Sequence, residues 1–188
     1  MGFFMSFAET QKLLQARAGG KVERCHGIPH HGSYSNAAHQ HGVALIMFYL
    51  WPEHFSRLAI YCLTHDTPEF IFGDIPAPTL RYVSGFRGQL EELEATYSRS
   101  IGLPAEVDLS HEDHAMLKAC DVLEFYLWCR EQEAQGNRYV EEALSEVKRF
   151  MNEKPLPQRA QDFFQYYQAF GVLPEQAGVA KRLAGSEL

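Results

Sequence analysis

Residues 110–136 read "SHEDHAMLKACDVLEFYLWCREQEAQG", and this stretch decides the fold. Ser110 with Asp113 three residues on resembles a capping box, a helix start signal, and Gly136-Asn137 supplies the stop. Between them Leu117, Asp121, Phe125 and Trp128 recur at helical spacing and share one face. The expectation is one long helix running to Gln135. On its apolar stripe an ionised Asp121 is costly unless it pairs with a cation of the chain or holds a metal.

The same period governs the rest of the chain. Ala8–Ala18 reads as a first helix stopped by Gly19-Gly20, followed by a polar loop, "HGIPHHGSYSN" (26–36). Ser35 or Asn36 caps a helix over Ala37–Leu50, which Pro52 ends. Glu53–Asp66 makes a third, with Phe55, Leu58, Ala59, Cys62 and His65 along one face. Gly73, Pro76 and Pro78 read as a loop. Helices over about Gly88–Ser100, Tyr139–Asn152 and Gln158–Phe170 follow, and the residues after Gly171 read as a loosely ordered tail. The last helix is dense in aromatics (Phe163, Phe164, Tyr166, Tyr167, Phe170), the mark of a core or of a subunit interface. No segment sustains strand alternation. The chain is therefore expected to be all-α, one domain over residues 1–188 built as a compact bundle of about six to eight helices.

Composition excludes several classes. With 46% apolar and 13% aromatic residues in 188, disorder is not a credible reading. A formal charge of −7 and no basic run argue against a nucleic-acid polymer as partner. A single nucleotide remains open, since one or two cations hold a small phosphate. No apolar run approaches the ~20 residues of a membrane span. The start, "MGFFMSFAETQK", lacks the basic region and cleavage site of a signal peptide. Cys25, Cys62, Cys120 and Cys129 form no CxxC pair and no zinc-finger spacing, so they read as reduced thiols of a cytoplasmic protein.

Three predicted helices bring ionisable groups to apolar faces. His39 shares its face with Val43, Ile46 and Leu50, where a lone histidine is either a hydrogen-bonded core residue or a ligand. His65 and Asp66 end the third stripe. The segment "THDTPEFIFGDIPAP" (64–78) then adds Glu69 and Asp74 beside Phe70, Ile71 and Phe72, as a solvated loop or a built site. The convergence favours a built site. His39, His65, Asp66 and Asp121 make a mixed His/carboxylate set suited to one divalent cation, Zn, Mn, Fe or Co rather than Ca.

The segments "YSNAAHQHGVA" (34–44), "HDTPE" (65–69), "GDIPAP" (73–78) and "KACD" (118–121) occur in the order and spacing of the HD-domain phosphohydrolases. The chain resembles the YfbR-type 5′-deoxynucleotidases and related small phage and bacterial enzymes, roughly from Arg24 to Arg130. The resemblance implies that His39, His65, Asp66 and Asp121 are metal ligands, with His41 the rival of His39 for the first position. It implies catalytic roles for Glu69 and Asp74 and a phosphate-binding role for Arg24. Glu69, one turn after His65, is placed to orient or deprotonate water, and Asp74, on the Gly73 turn, to protonate or orient the leaving oxygen. Pro76 and Pro78 are expected to form a rigid wall of the substrate pocket.

One divalent transition metal (Zn, Mn, Co or Fe) is implied, and a second ion, Mg, is admitted with the substrate. Two positions depart from the family pattern: Ala38 stands where Glu is usual, and Cys25 where an aromatic is common. Base stacking is the property they touch. His26, His30 and His31 border the nucleotide or belong to a solvated loop.

The first expected function is removal of phosphate from deoxynucleoside 5′-monophosphates. The nearest alternative releases triphosphate from a dNTP. A dinuclear HD enzyme needs more histidines than His111 and His114 between the His-Asp pair and Asp121. A non-catalytic nucleotide-binding scaffold conflicts with the filling of every expected polar position. A homo-oligomer is expected.

Overall fold

The computed structural model describes residues 5–171. Within them the chain is helical, apart from one isolated antiparallel bridge between Glu23 and Ser35. Helix α1 (Phe7–Gly19) opens on a reciprocal capping box: Ser6 N–H donates to Glu9 Oε2 at 2.7 Å and Glu9 N–H to Ser6 Oγ at 3.2 Å. Helix α2 (Asn36–Leu50) takes Ser35 as its N-cap, and Asn36 is already helical. Pro52 opens α3 (Pro52–Thr64), where a missing N–H leaves nothing unsatisfied. Two short helices, α4 (Glu69–Phe72) and α5 (Ala77–Tyr82), lead to α6 (Phe86–Ser100). The long helix α7 (His111–Ala134) is followed by α8 (Glu141–Glu153) and α9 (Gln158–Phe170), with 3-10 turns at Glu106–Asp108 and Arg138–Val140.

Three boundaries differ from expectation. Helix α3 stops at Thr64, so His65 is its C-cap and Asp66 lies beyond it. Pro68, two residues on, removes a helical donor there, and Asn36 Nδ2 donates to the Asp66 carbonyl at 3.0 Å. Pro76 and Pro78 do not sit in an open loop but start α5, as N-cap and first-turn residue. The stretch around Tyr139 turns once as a 3-10 helix (Arg138–Val140) before α8 begins at Glu141. The tail expected to be loosely ordered lies outside the described residues.

Helices α2, α3 and α7 form the centre, with Val43, Met47, Leu58, Cys62, Leu117, Cys120 and Leu123 buried between them. Ser110 Oγ accepts from Asp113 N–H at 3.1 Å, but the Asp113 carboxylate turns to Arg57 of α3 instead of closing the capping box. Helices α8 and α9 cover the far side through Leu144, Met151, Ala160 and Phe164. The Phe164 ring meets Tyr126 edge to face at 5.1 Å, and burying such a side chain contributes about 1.5–3 kcal/mol. The aromatic stripe of α9 therefore completes the core, while Tyr166 stays exposed. No described helix is long and apolar enough to cross a membrane.

Candidate metal centre

His39, on the buried face of α2, is fully buried, whereas His41 is exposed. His39 Nε2 lies 3.3 Å from His65 Nε2, 3.4 Å from Asp66 Oδ2 and 3.2 Å from Asp121 Oδ1. His65 Nε2 is in turn 3.2 Å from Asp66 Oδ2. Ligand atoms of His39, His65 and Asp121 all lie within 4.8 Å of one another. A tetrahedral ion with bonds of about 2.0–2.2 Å holds its ligand atoms roughly 3.3–3.5 Å apart. His39, His65 and Asp121 at this separation suit one such ion, and Asp66 Oδ2, held by Arg24, lies against both imidazoles.

Burial opposes charge on His39, Asp66 and Asp121, and the neighbours decide the outcome. Burial raises the Asp66 pKa, but Arg24, whose Nη1 donates to Asp66 Oδ2, brings it below the usual carboxylate value. Asp121 is likewise penalised by burial yet held well below the ordinary value by Lys118 and His39. Lys118 Nζ contacts Asp121 Oδ2, so the carboxylate takes a cation of the chain on one oxygen and faces the cluster with the other. Burial disfavours the His39 cation, but hydrogen bonds to Asp121 and Glu124 raise its pKa to about 9.

Arg24 is pinned by backbone and side chain. Its N–H donates to the Tyr34 carbonyl at 2.8 Å and its Nη1 to Asn36 Oδ1 at 3.2 Å, leaving a buried Nε without an acceptor. Glu69 accepts from Asn36 Nδ2 at 2.8 Å, and burial followed by the Asp66 charge pushes its carboxyl up to about 8. This carboxyl thus stands one step outside the converging atoms of His39, His65 and Asp121. Gly73, at φ 80°, turns the chain so that Asp74 Oδ2 accepts the Cys25 N–H at 2.7 Å. Cys25 is the one non-glycine with positive φ (54°) among the described residues. Asp74 thereby holds a strained backbone next to Arg24. Pro76 and Pro78 are exposed.

Sequence reasoning missed Asn36 and Glu124. Asn36 is fully buried and links Arg24, Asp66 and Glu69. Glu124 contacts His39 Nδ1 and accepts from the Tyr34 hydroxyl at 2.5 Å. The available signal was spacing: Glu124 follows Asp121 by three residues on α7, and Asn36 precedes His39 by three on α2.

A cavity of about 220 Å³ adjoins His65 between α3, α6 and α7. Glu91, Glu94, Glu106 and His114 line it besides His65, and no Lys or Arg is found among the described residues of its wall. Burial and then the Glu106 charge raise Glu94 to about 7. Neither Pro76 nor Pro78 borders this space.

A helical bundle with a His39–His65–Asp121 cluster at its centre defines a class of α-helical proteins with a metal-capable centre, the one such group among the described residues. This chain belongs to the YfbR-like 5′-deoxynucleotidase family, whose model matches residues 16–169. A 5′-deoxynucleotidase of Vibrio atlanticus is 28% identical over 126 residues, 60% of this chain, and the chain spans 62% of that relative's length. The cyanophage S-2L HD phosphohydrolase DatZ, solved with dA and one catalytic Zn2+ ion, shares the fold. It has a TM-score of 0.57 at 18% identity and covers 88% of this chain and 96% of its own. A conserved hypothetical protein of Pyrococcus furiosus gives a TM-score of 0.53 at 20% identity, covering 74% of this chain and 99% of its own.

Proposed function

We propose that the chain is a single HD domain acting as a metal-dependent 5′-deoxynucleotidase, which converts a deoxynucleoside 5′-monophosphate to the deoxynucleoside and phosphate. The observation that carries this reading is the convergence of His39, His65 and Asp121 at metal-ligand spacing, with Asp66 against both histidines and paired with a half-buried Arg24. Family membership and the named activity of the Vibrio relative support it. Those four residues would hold one divalent transition metal. Zn is the first choice, since the cyanophage enzyme carries a catalytic Zn2+ ion, with Mn, Co and Fe compatible with the same donors. When bound, such an ion acidifies water and polarises a phosphoryl oxygen.

The side chains divide the remaining work. Arg24 binds the phosphate, offering the Nε left without an acceptor. Glu69 orients the attacking water and takes its proton. Asp74 fixes the Arg24–Cys25 turn and stands on the leaving-group side, with Pro76 and Pro78 bordering the nucleoside there.

The triphosphate-releasing alternative needs cations around the β- and γ-phosphates. The cavity beside His65 presents glutamates instead, a wall that repels a polyphosphate unless a second ion such as Mg enters with it. A panel of the four dNMPs, the four dNTPs and their ribo counterparts tests the choice. Phosphate from several dNMPs, with ribonucleotides slower, is the expected result. Triphosphate from a dNTP with inert monophosphates reverses it.

The working form is proposed to be a cytoplasmic homo-oligomer. The four cysteines are free thiols, in keeping with a reducing compartment. Outside the core, Leu45, Phe48, Tyr49 and Tyr166 remain exposed on α2 and α9 and offer an apolar face for a second copy. Light scattering at micromolar concentration is expected to give a multiple of 21.4 kDa. A monomeric mass refutes the oligomer.

A further inference from the structure

Glu124 is an unassigned carboxylate beside the cluster, its side chain 14% exposed. It sits on the same α7 turn as Asp121, and its Oε2 is shared by two groups: His39 Nδ1 and the Tyr34 hydroxyl, the latter at 2.5 Å. His39 Nδ1 thus points away from the cluster and Nε2 into it. A ring that donates Nδ1–H to a carboxylate is the tautomer with its Nε2 lone pair free for a metal. Tyr34 itself stacks flat on Trp128 (4.4 Å, 11°) and carries the Arg24 guanidinium 5.8 Å from its ring centroid. One oxygen of Glu124 therefore touches both the histidine of the cluster and the aromatic platform beneath the phosphate-binding arginine.

The neighbouring helix is shaped to admit this carboxylate. Gly42 follows His39 by three residues on α2, and a Cβ placed there falls 2.6 Å from Glu124 Cγ and 3.1 Å from its Oε1. A contact of that length forces a shift, and Cγ is not the free end of the side chain. The notch at Gly42 and the reach of Glu124 together set how α2 presents His39 to α7.

We propose that Glu124 is a positioning residue, which fixes the tautomer and ring orientation of His39 for metal binding and ties that ligand to the Tyr34–Arg24 arm. The proposal rests on the metal-centre reading and adds to it a residue outside the ligand set. It acts through His39 and Tyr34 and does not touch substrate.

The test measures Zn2+ affinity of the full-length protein by competition with a chromogenic chelator, and the d–d absorption spectrum of the Co2+ form. Glu124→Gln is expected to weaken Zn2+ binding about 10- to 100-fold and to change the Co2+ spectrum, with the far-UV circular dichroism of the wild type. Gly42→Ala keeps every polar atom, favours the helix and displaces Glu124, so it is expected to change both readouts in the same direction. Tyr34→Phe leaves the His39–Glu124 contact in place and is expected to lose less affinity than Glu124→Gln. Wild-type Zn2+ affinity and an unchanged Co2+ spectrum in Glu124→Gln overturn the positioning role while leaving the metal centre standing. A wild-type protein that takes up neither Zn2+ nor Co2+ overturns the metal centre and the positioning role with it.

Discussion

His39→Ala and Asp66→Ala are expected to lose the proposed metal and at least about 10³-fold in kcat/KM, corresponding to several kcal/mol of transition-state stabilisation removed with the ion. The two variants differ in what else they disturb. His39→Ala leaves the Arg24–Asp66 pair intact and removes the Nε2 atom that all three other ligand atoms approach within 3.4 Å. Asp66→Ala also strips Arg24 of its main counter-charge, so phosphate binding changes in the same variant. Metal content by elemental analysis and turnover are read side by side. Chelation of the wild type gives the same loss, and Mn, Co or Zn restores it. Full turnover in excess chelator, with the ion shown to be gone, removes the basis of the mechanism.

Glu69→Ala is expected to separate binding from turnover. Its carboxylate contacts Asn36 and lies 3.9 Å from Arg24, outside the four converging ligand atoms. The variant should keep a full equivalent of metal and lose about 10²–10⁴-fold in turnover, the range of a positioned general base. Burial and the Asp66 charge hold this carboxyl at about 8, close to the pH at which a base is most effective. Loss of metal from Glu69→Ala would instead reassign Glu69 to the ligand set.

The bundle was legible because its helices carry strong period and clear punctuation. Ser110 and Gly136 bracket α7, and Leu117, Asp121, Phe125 and Trp128 lie on one face in the sequence as they do on the helix. His39 and Asp121 stood out for one reason: each is ionisable on an apolar stripe. Asn36 and Glu124 escaped because polar residues next to a cap or among other glutamates look like solvated helix surface. Only the packing of α2 on α7 shows that they are enclosed. The end of α3 was misplaced because His65 continues the apolar period, whereas Pro68 and the capture of the Asp66 carbonyl by Asn36 draw the chain out of the helix. Pro76 and Pro78 read as a loop in sequence, although prolines are equally at home in the first turn of a helix. The motif segments named a family pattern, and the side-chain geometry arranged most of it around one point.

The four proposed ligand positions come from stretches of chain that meet only when α2, the turn after α3, and α7 have docked. An unfolded chain cannot offer them together, so an ion bound there would act as a reversible cross-link that recognises the native topology alone. By mass action, free ion at about 1,000 times its dissociation constant adds about 4 kcal/mol to folding stability. Damage far from the centre, for instance at the Tyr126–Phe164 contact, then shows itself as a weaker apparent hold on the ion, and a metal-rich medium conceals it.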